Sequence, residues 1–227
     1  MDYKFFQKVI VLILSSLLFV SCFKDVKPEG TYLVTDVGDN GVDNIEESGT
    51  INNHAYVDLG LPSGLKWATC NVGAETPEDY GDYYAWGETS TKSEYTVENS
   101  LTYGKSMSDI SGNITYDVAR KKWGSSWRLH TWSEFAELIK KSKWEWTIQN
   151  GKRGYTVIGP NGNSIFLPAA GYRDGSSLIN AGESGDYWSS TPTIPTEAHP
   201  LYFDSDELSA GWNGYRYHGY SVRPVSE

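Results

Sequence analysis

Cysteine, histidine and basic side chains are all scarce in this chain, and each shortage removes a class of function. Two cysteines and four histidines occur in 227 residues. His54, His130, His199 and His218 show no metal-ligand spacing, so each reads as a surface or turn residue, and neither a metal nor a cofactor is expected. Cys70 has no neighbouring base in sequence that would mark a nucleophile, and it is expected to pack as a small buried hydrophobe. Lys and Arg number 19 against 29 Asp and Glu, a formal charge of −10. An acidic surface repels phosphate backbones, which argues against nucleic acid as a partner and against a basic patch as a membrane anchor. No internal repeat is present.

What is there begins with a targeting segment. Lys4 and Lys8 precede an apolar run from Val9 to Val20 that is short for a membrane span, and Val20-Ser21-Cys22 follows. A small residue directly before Cys resembles a bacterial lipoprotein cleavage site. The expectation is a signal peptide over 1–21, acylation of the Cys22 thiol and membrane attachment by lipid, with no disulfide from Cys22 to Cys70. Cleavage would bring the formal charge to about −11 by residue counting. Residues 22–53 are polar and acidic without sustained periodicity and read as a flexible tether. Lys24-Asp25 is loosely like the charged signals that send such lipoproteins to the outer surface of Bacteroides-type bacteria.

Residues 54–227 have the size of one domain. Ala55–Leu61 and Leu65–Thr69 flank the Pro62-Ser63-Gly64 turn as a hairpin, and Tyr155–Ile158 with Ser164–Leu167 form a second. A short helix is expected near Tyr116–Trp123. Thr131 and Glu134 form a capping box that starts another over Trp132–Lys141, with Trp132, Phe135, Leu138 and Ile139 as its buried face. Asp82–Glu88 reads as a strand or packed insert. Strands at Leu201–Asp204 and Gly219–Val225 close the chain. Strands first, helices central and strands last predict an α+β domain whose terminal strands meet.

Several phrases together carry a family resemblance. They are Tyr56-Val57-Asp58-Leu59-Gly60-Leu61-Pro62-Ser63-Gly64-Leu65-Lys66-Trp67-Ala68, Asp82 to Glu88, Trp123-Gly124-Ser125-Ser126-Trp127-Arg128-Leu129, Leu167 to Arg173, Tyr187 to Thr191 and Tyr220 to Val225. In this order they resemble the Fibrobacter succinogenes major paralogous domain family, which abounds as lipoproteins of Bacteroides and relatives. The resemblance implies a C-type-lectin-like fold related to that of formylglycine-generating enzymes, with short antiparallel strands, two helices and long loops. His130 stands where Pro is usual, which is expected to loosen the start of the helix. Formylglycine-generating enzymes use a C-terminal cysteine pair that Gly219–Val225 lacks. Calcium-dependent sugar lectins carry Glu-Pro-Asn or Gln-Pro-Asp, also absent here.

In that fold the long loops before the last strand form a platform, here Tyr202 to His218. Tyr202, Asp204, Asp206, Ser209, Trp212, Asn213, Tyr215, Tyr217 and His218 are the candidate ligand-binding residues, since they combine rigid aromatic area with adaptable hydrogen bonding. Phe203 and Trp212 are also expected to serve the core, with Tyr202 and Asp204 on the opposite face. The resemblance extends to targets of diversity-generating retroelements, in which adenine-directed mutagenesis turns Asn codons into Tyr, Asp, Ser, Ala, Gly, His or Arg. Asp204, Asp206, Ser209, Ala210, Asn213, Tyr215, Tyr217 and His218 fall within that set; Glu207 and Trp212 do not. The expected role is non-catalytic binding of a glycan or surface protein. Alternatives are a structural or adhesin-tip subunit, and a glycoside hydrolase using Asp204, Asp206 and Glu207 or Glu78, Asp79 and Asp82.

Overall fold

A computed structural model describes residues 48–227. The expected signal peptide, Cys22 and the expected tether up to residue 47 lie outside the described residues. Strands β1 (Ser48–Ile51), β2 (His54–Asp58) and β3 (Lys66–Ala68) precede helix α1 (Val118–Trp123), β4 (Arg128–Leu129) and helix α2 (Trp132–Lys141). There follow β5 (Lys143–Gln149), β6 (Lys152–Ile158), β7 (Ser164–Pro168), β8 (Tyr172–Asp174) and β9 (Ser177–Ile179). The chain closes with β10 (Gly185–Pro192), β11 (Glu197–Phe203), β12 (Leu208–Ser209), β13 (Gly214–Tyr215) and β14 (Pro224–Ser226). The fold is α+β, and its named strand pairs are antiparallel.

The terminal strands meet. One sheet runs β1-β2-β3-β14-β4, so the last strand inserts between the N-terminal hairpin and the strand leading into α2. Both expected hairpins form, as β2–β3 and β6–β7. The folded unit begins earlier than His54, because β1 occupies residues assigned to the tether. Its hairpin closes through Asn52 and Asn53, both at positive φ, the geometry of a two-residue type I′ loop. Strand β5 stands where the sequence reading assigned no element. Gly219 to Ser221 make isolated bridges, and only Pro224–Ser226 of the closing segment is a regular strand.

Helix α2 carries the complete capping box, with Thr131 Oγ1 accepting from Glu134 N and the Glu134 carboxylate accepting from Thr131 N at 2.7 Å. Glu134 also receives two hydrogen bonds from Arg128, at 2.8 and 2.9 Å, a bidentate pair that fixes the approach to the helix. His130 is fully buried, against Trp67 and Phe135, rather than at the surface, and it leaves the cap intact. Phe135 and Leu138 face the core, whereas Trp132 is 40 % exposed and leaves the expected buried face. Truncating Phe135 to Ala would cost about 3–5 kcal/mol.

Two apolar clusters lie on either side of the β10–β11 ribbon. Alternation along β10 sends Tyr187 into the first, with Phe135, Leu167 and Phe203, and sends Trp188 into the second, with Trp86, Trp127 and Tyr220. Arg223 is buried between loop ends with no carboxylate partner among the described residues, donating to the carbonyls of Ala68, Thr69 and Phe166 and to Asn71 Oδ1 at 2.9–3.0 Å. Burial lowers its guanidinium to about 10. Cys70 is buried as expected. It is disulfide-bonded, contrary to the expected thiol.

Candidate aromatic recognition surface

Strand β11 organises the predicted site and divides it. Ser209 in β12 pairs with Tyr202 near one end of β11, and Tyr215 in β13 pairs with Glu197 at the other. Five residues of strand separate these pairings, about 17 Å at the rise of extended chain. The candidates therefore form two groups, and exposed Asn213 lies on the connection between them.

The first group holds Tyr202, Asp204, Asp206, Ser209 and Trp212. Asp204 Oδ1 accepts from the backbone N–H groups of Asp206 and Glu207, each at 2.8 Å, and its Oδ2 accepts from the Tyr202 hydroxyl at 2.9 Å. These donors hold the Asp204 carboxyl below its usual range, the backbone bond from Asp206 contributing most. Tyr202 is pushed up to about 12, first by burial and then by its bond to Asp204. Ser209 Oγ accepts from Gly211 N at 3.1 Å and shapes the turn toward Trp212. Trp212 is not in the core: it is 52 % exposed, its ring centroid 5.1 Å from that of Tyr202. Phe203 is buried, as alternation predicts. Trp132 joins from α2, its indole N–H donating to the Ala210 carbonyl.

The second group holds Tyr215, Tyr217 and His218. The two tyrosine rings stack at 5.6 Å with planes 13° apart, and Tyr215 is 46 % exposed. His218 lies 4.5 Å from the Tyr217 ring, and its Nε2 faces Asp174 Oδ1 at 3.8 Å. Burial lowers the His218 pKa, and the Asp174 charge opposes that shift. Tyr103 meets Tyr217 edge-on at 5.6 Å, and Tyr172 lies 5.2 Å from His218. Tyr103, Tyr172 and Asp174 were not among the predicted site residues, because tertiary folding brings them in from a distant loop and from β8. Gly214 makes the close approach possible: a Cβ there would lie 2.8 Å from atoms of both Trp188 and Tyr220.

Asp186 sits buried beside both groups, directly opposite Tyr202 in the strand register. Burial pushes its carboxyl up to about 7, against one hydrogen bond from Ser184, and its charge is felt at Tyr172, Tyr202 and Tyr220. The remaining acids are occupied in holding loops. Glu78 accepts from Gln149 and Asn150, Asp79 from Glu75 N and Thr76 N, and Asp82 from the Tyr84 hydroxyl. Among the described residues no group of three or more His, Cys, Asp or Glu is placed to hold a metal ion, and no helix is long and apolar enough to cross a membrane. What the surface offers chemically is flat aromatic area edged by hydroxyls, an imidazole and carboxylates, suited to stacking and hydrogen bonding.

No family model, curated protein or solved structure matches the chain, so the resemblance to the Fibrobacter succinogenes major paralogous domain family rests on its sequence phrases alone.

Proposed function

We propose that this protein is a non-catalytic recognition lipoprotein, held by lipid at Cys22 on the outer membrane and binding a glycan or surface protein through the Tyr202–His218 surface. The observation that carries the reading is the stacked Tyr215–Tyr217 pair with His218 beside it, an aromatic cluster whose Tyr215 is exposed and whose other two rings are half-buried, built around a strand rather than folded into a core. Tyrosine supplies large, rigid contact area at low entropic cost, and aromatic faces suit sugar rings and peptide side chains. A C-type-lectin-like frame fits the meeting of β14 with β3 and the long loops between β11 and β14. Diversification of the loop by a retroelement is part of the same proposal: Asp206, Asn213 and Tyr215 are exposed, where substitution leaves the core untouched.

The test is binding of the full mature chain to an array of glycans and surface proteins, beside a Tyr215→Ala/Tyr217→Ala variant. Selective binding that the variant loses supports recognition and identifies the ligand class. A silent array from a folded chain that forms polymers without ligand moves the assignment to a structural or adhesin-tip subunit. Turnover of a glycan that survives the tyrosine variant but not Asp204→Asn would favour the hydrolase.

A further inference from the structure

A cleft of about 350 Å³ opens on the other side of β8 from the aromatic surface, and the recognition reading makes no use of it. Alternation along β8 turns Tyr172 and Asp174 toward His218 and turns Arg173 away, over the Tyr83 ring, with the guanidinium carbon 5.4 Å from the ring centroid. Asp82 lies on the wall formed by Gly81 to Tyr83, and Thr91, Lys92 and Ser93 form another.

The two cations of this cleft differ in what they are free to do. Lys92 is fully engaged: its ammonium donates to Glu88 at 2.8 Å, to the Asn99 carbonyl at 2.6 Å and to Asn99 Oδ1 at 3.2 Å. Arg173 gives one bond, from Nη1 to the Ser176 carbonyl at 3.2 Å, and makes no ion pair among the described residues. The rest of its planar fork remains available to a carboxylate. Asp82 adds to the wall, but its carboxylate turns away from the cleft: its Oδ2 accepts from the Tyr84 hydroxyl, and a Cβ on Gly73 would lie 2.5 Å from its Cγ, so this glycine, at φ +82°, lets the carboxylate seat on that far side.

A ligand that satisfies both walls needs a carboxylate for Arg173 and hydroxyls for the Thr91–Ser93 wall, where Lys92 is already paired and offers nothing to a second anionic group. Thr91 and Ser93 add hydroxyls that both donate and accept. The volume is at the small end of ligand sites, enough for one compact residue. We propose that this cleft binds a hydroxylated carboxylate the size of a single acidic sugar, its carboxylate on Arg173 and its hydroxyls toward Thr91 and Ser93.

The test is calorimetric titration of the full mature chain with glucuronate, with glucose as the neutral match and a glucuronate-terminated disaccharide as the third arm. Glucuronate is expected to saturate the protein within about 10 mM while glucose does not. Arg173→Gln and Ser93→Trp should each weaken glucuronate by at least about tenfold. Ser93 is exposed, so the bulky substitution blocks the cleft without disturbing the core, and it carries the test if Arg173→Gln fails to fold. The disaccharide binding more tightly than the monosaccharide identifies the end of a glycan as the source; equal affinity identifies the free acid. Tyr215→Ala/Tyr217→Ala should leave glucuronate affinity unchanged, which separates this site from the aromatic surface. Failure to saturate, equal binding of glucose, or affinity unmoved in the folded variants would overturn the proposal.

Discussion

The indole nitrogen of Trp212 donates to Glu207 Oε1 at 3.0 Å, which holds a half-exposed tryptophan over the Tyr202 ring. An exposed indole on a loop keeps one orientation only if something fixes it, and Glu207 is the group that does so here. Glu207→Ala is expected to change folding stability by less than about 0.5 kcal/mol, because the site is solvent-facing. It should nonetheless release the ring. Time-resolved fluorescence anisotropy on a chain with Trp212 as the reporter checks this: faster local rotation with an unchanged unfolding midpoint is the expected result.

Arg216 ties the second aromatic group together from below. Its Nε donates to the Glu197 carbonyl at 3.1 Å, its Nη1 to the Lys105 carbonyl at 2.8 Å, and its guanidinium lies 4.2 Å from the Trp86 ring centroid. These contacts bring the loop carrying Tyr103 against the strand carrying Tyr215. Arg216→Met fills similar volume but leaves buried carbonyls unpaired, so a loss of about 3 kcal/mol is expected in chemical denaturation. Exchange protection should fall first at Gly104 N and Lys105 N, whose bonds to the Pro195 and Thr102 carbonyls depend on this loop staying in place.

The sequence showed most clearly what is local. Thr131 and Glu134 sit three apart and their reciprocal bonds form, and the Pro62-Ser63-Gly64 turn and the Asn161-Gly162 region connect the strands expected of them. Strand β5 was also legible in principle: Trp144-Glu145-Trp146 alternates, and Asn150-Gly151, both at positive φ, is a strong hairpin signal. Strand β1 offered less, since Ser48-Gly49-Thr50 has no apolar alternation and its signal is the Asn52-Asn53 turn alone. The site was half legible. Composition marked Tyr215 and Tyr217, but Trp212 and Trp132 project from the core where an apolar pattern would bury them, and Tyr103 and Asp174 arrive only through tertiary contacts.

The chain has two sulfhydryl side chains, so a thioether at Cys22 and a Cys22–Cys70 disulfide exclude each other. Protein extracted from bacterial membranes is expected to carry a diacylglycerol mass on its N-terminal peptide. Cys22→Ser should then release the protein from the membrane fraction. Recovery of a disulfide-linked Cys22–Cys70 peptide pair as the dominant form would overturn the anchor.

His130 and Asp186 are expected to bend the stability profile in opposite directions. The His130 Nδ1 faces the Thr131 carbonyl at 3.3 Å and so carries the proton, while Nε2 is buried without a hydrogen-bond partner among the described residues. Burial lowers its pKa from 6.5 to about 3. The unfolded chain therefore binds a proton below pH 6.5 that the folded chain refuses, and stability falls as pH drops through that window, by up to about 1.4 kcal/mol per pH unit. Asp186 works in reverse. Its folded value of about 7 exceeds the ordinary 3.8, so its contribution is fully present below pH 3.8 and is lost as pH rises toward 7. Between these limits the two slopes offset each other in the native chain. Urea denaturation across this range separates them: Asp186→Asn should gain stability relative to the native chain as pH rises, and His130→Phe should lose it. Parallel profiles for all three proteins would show that neither group titrates as its burial dictates.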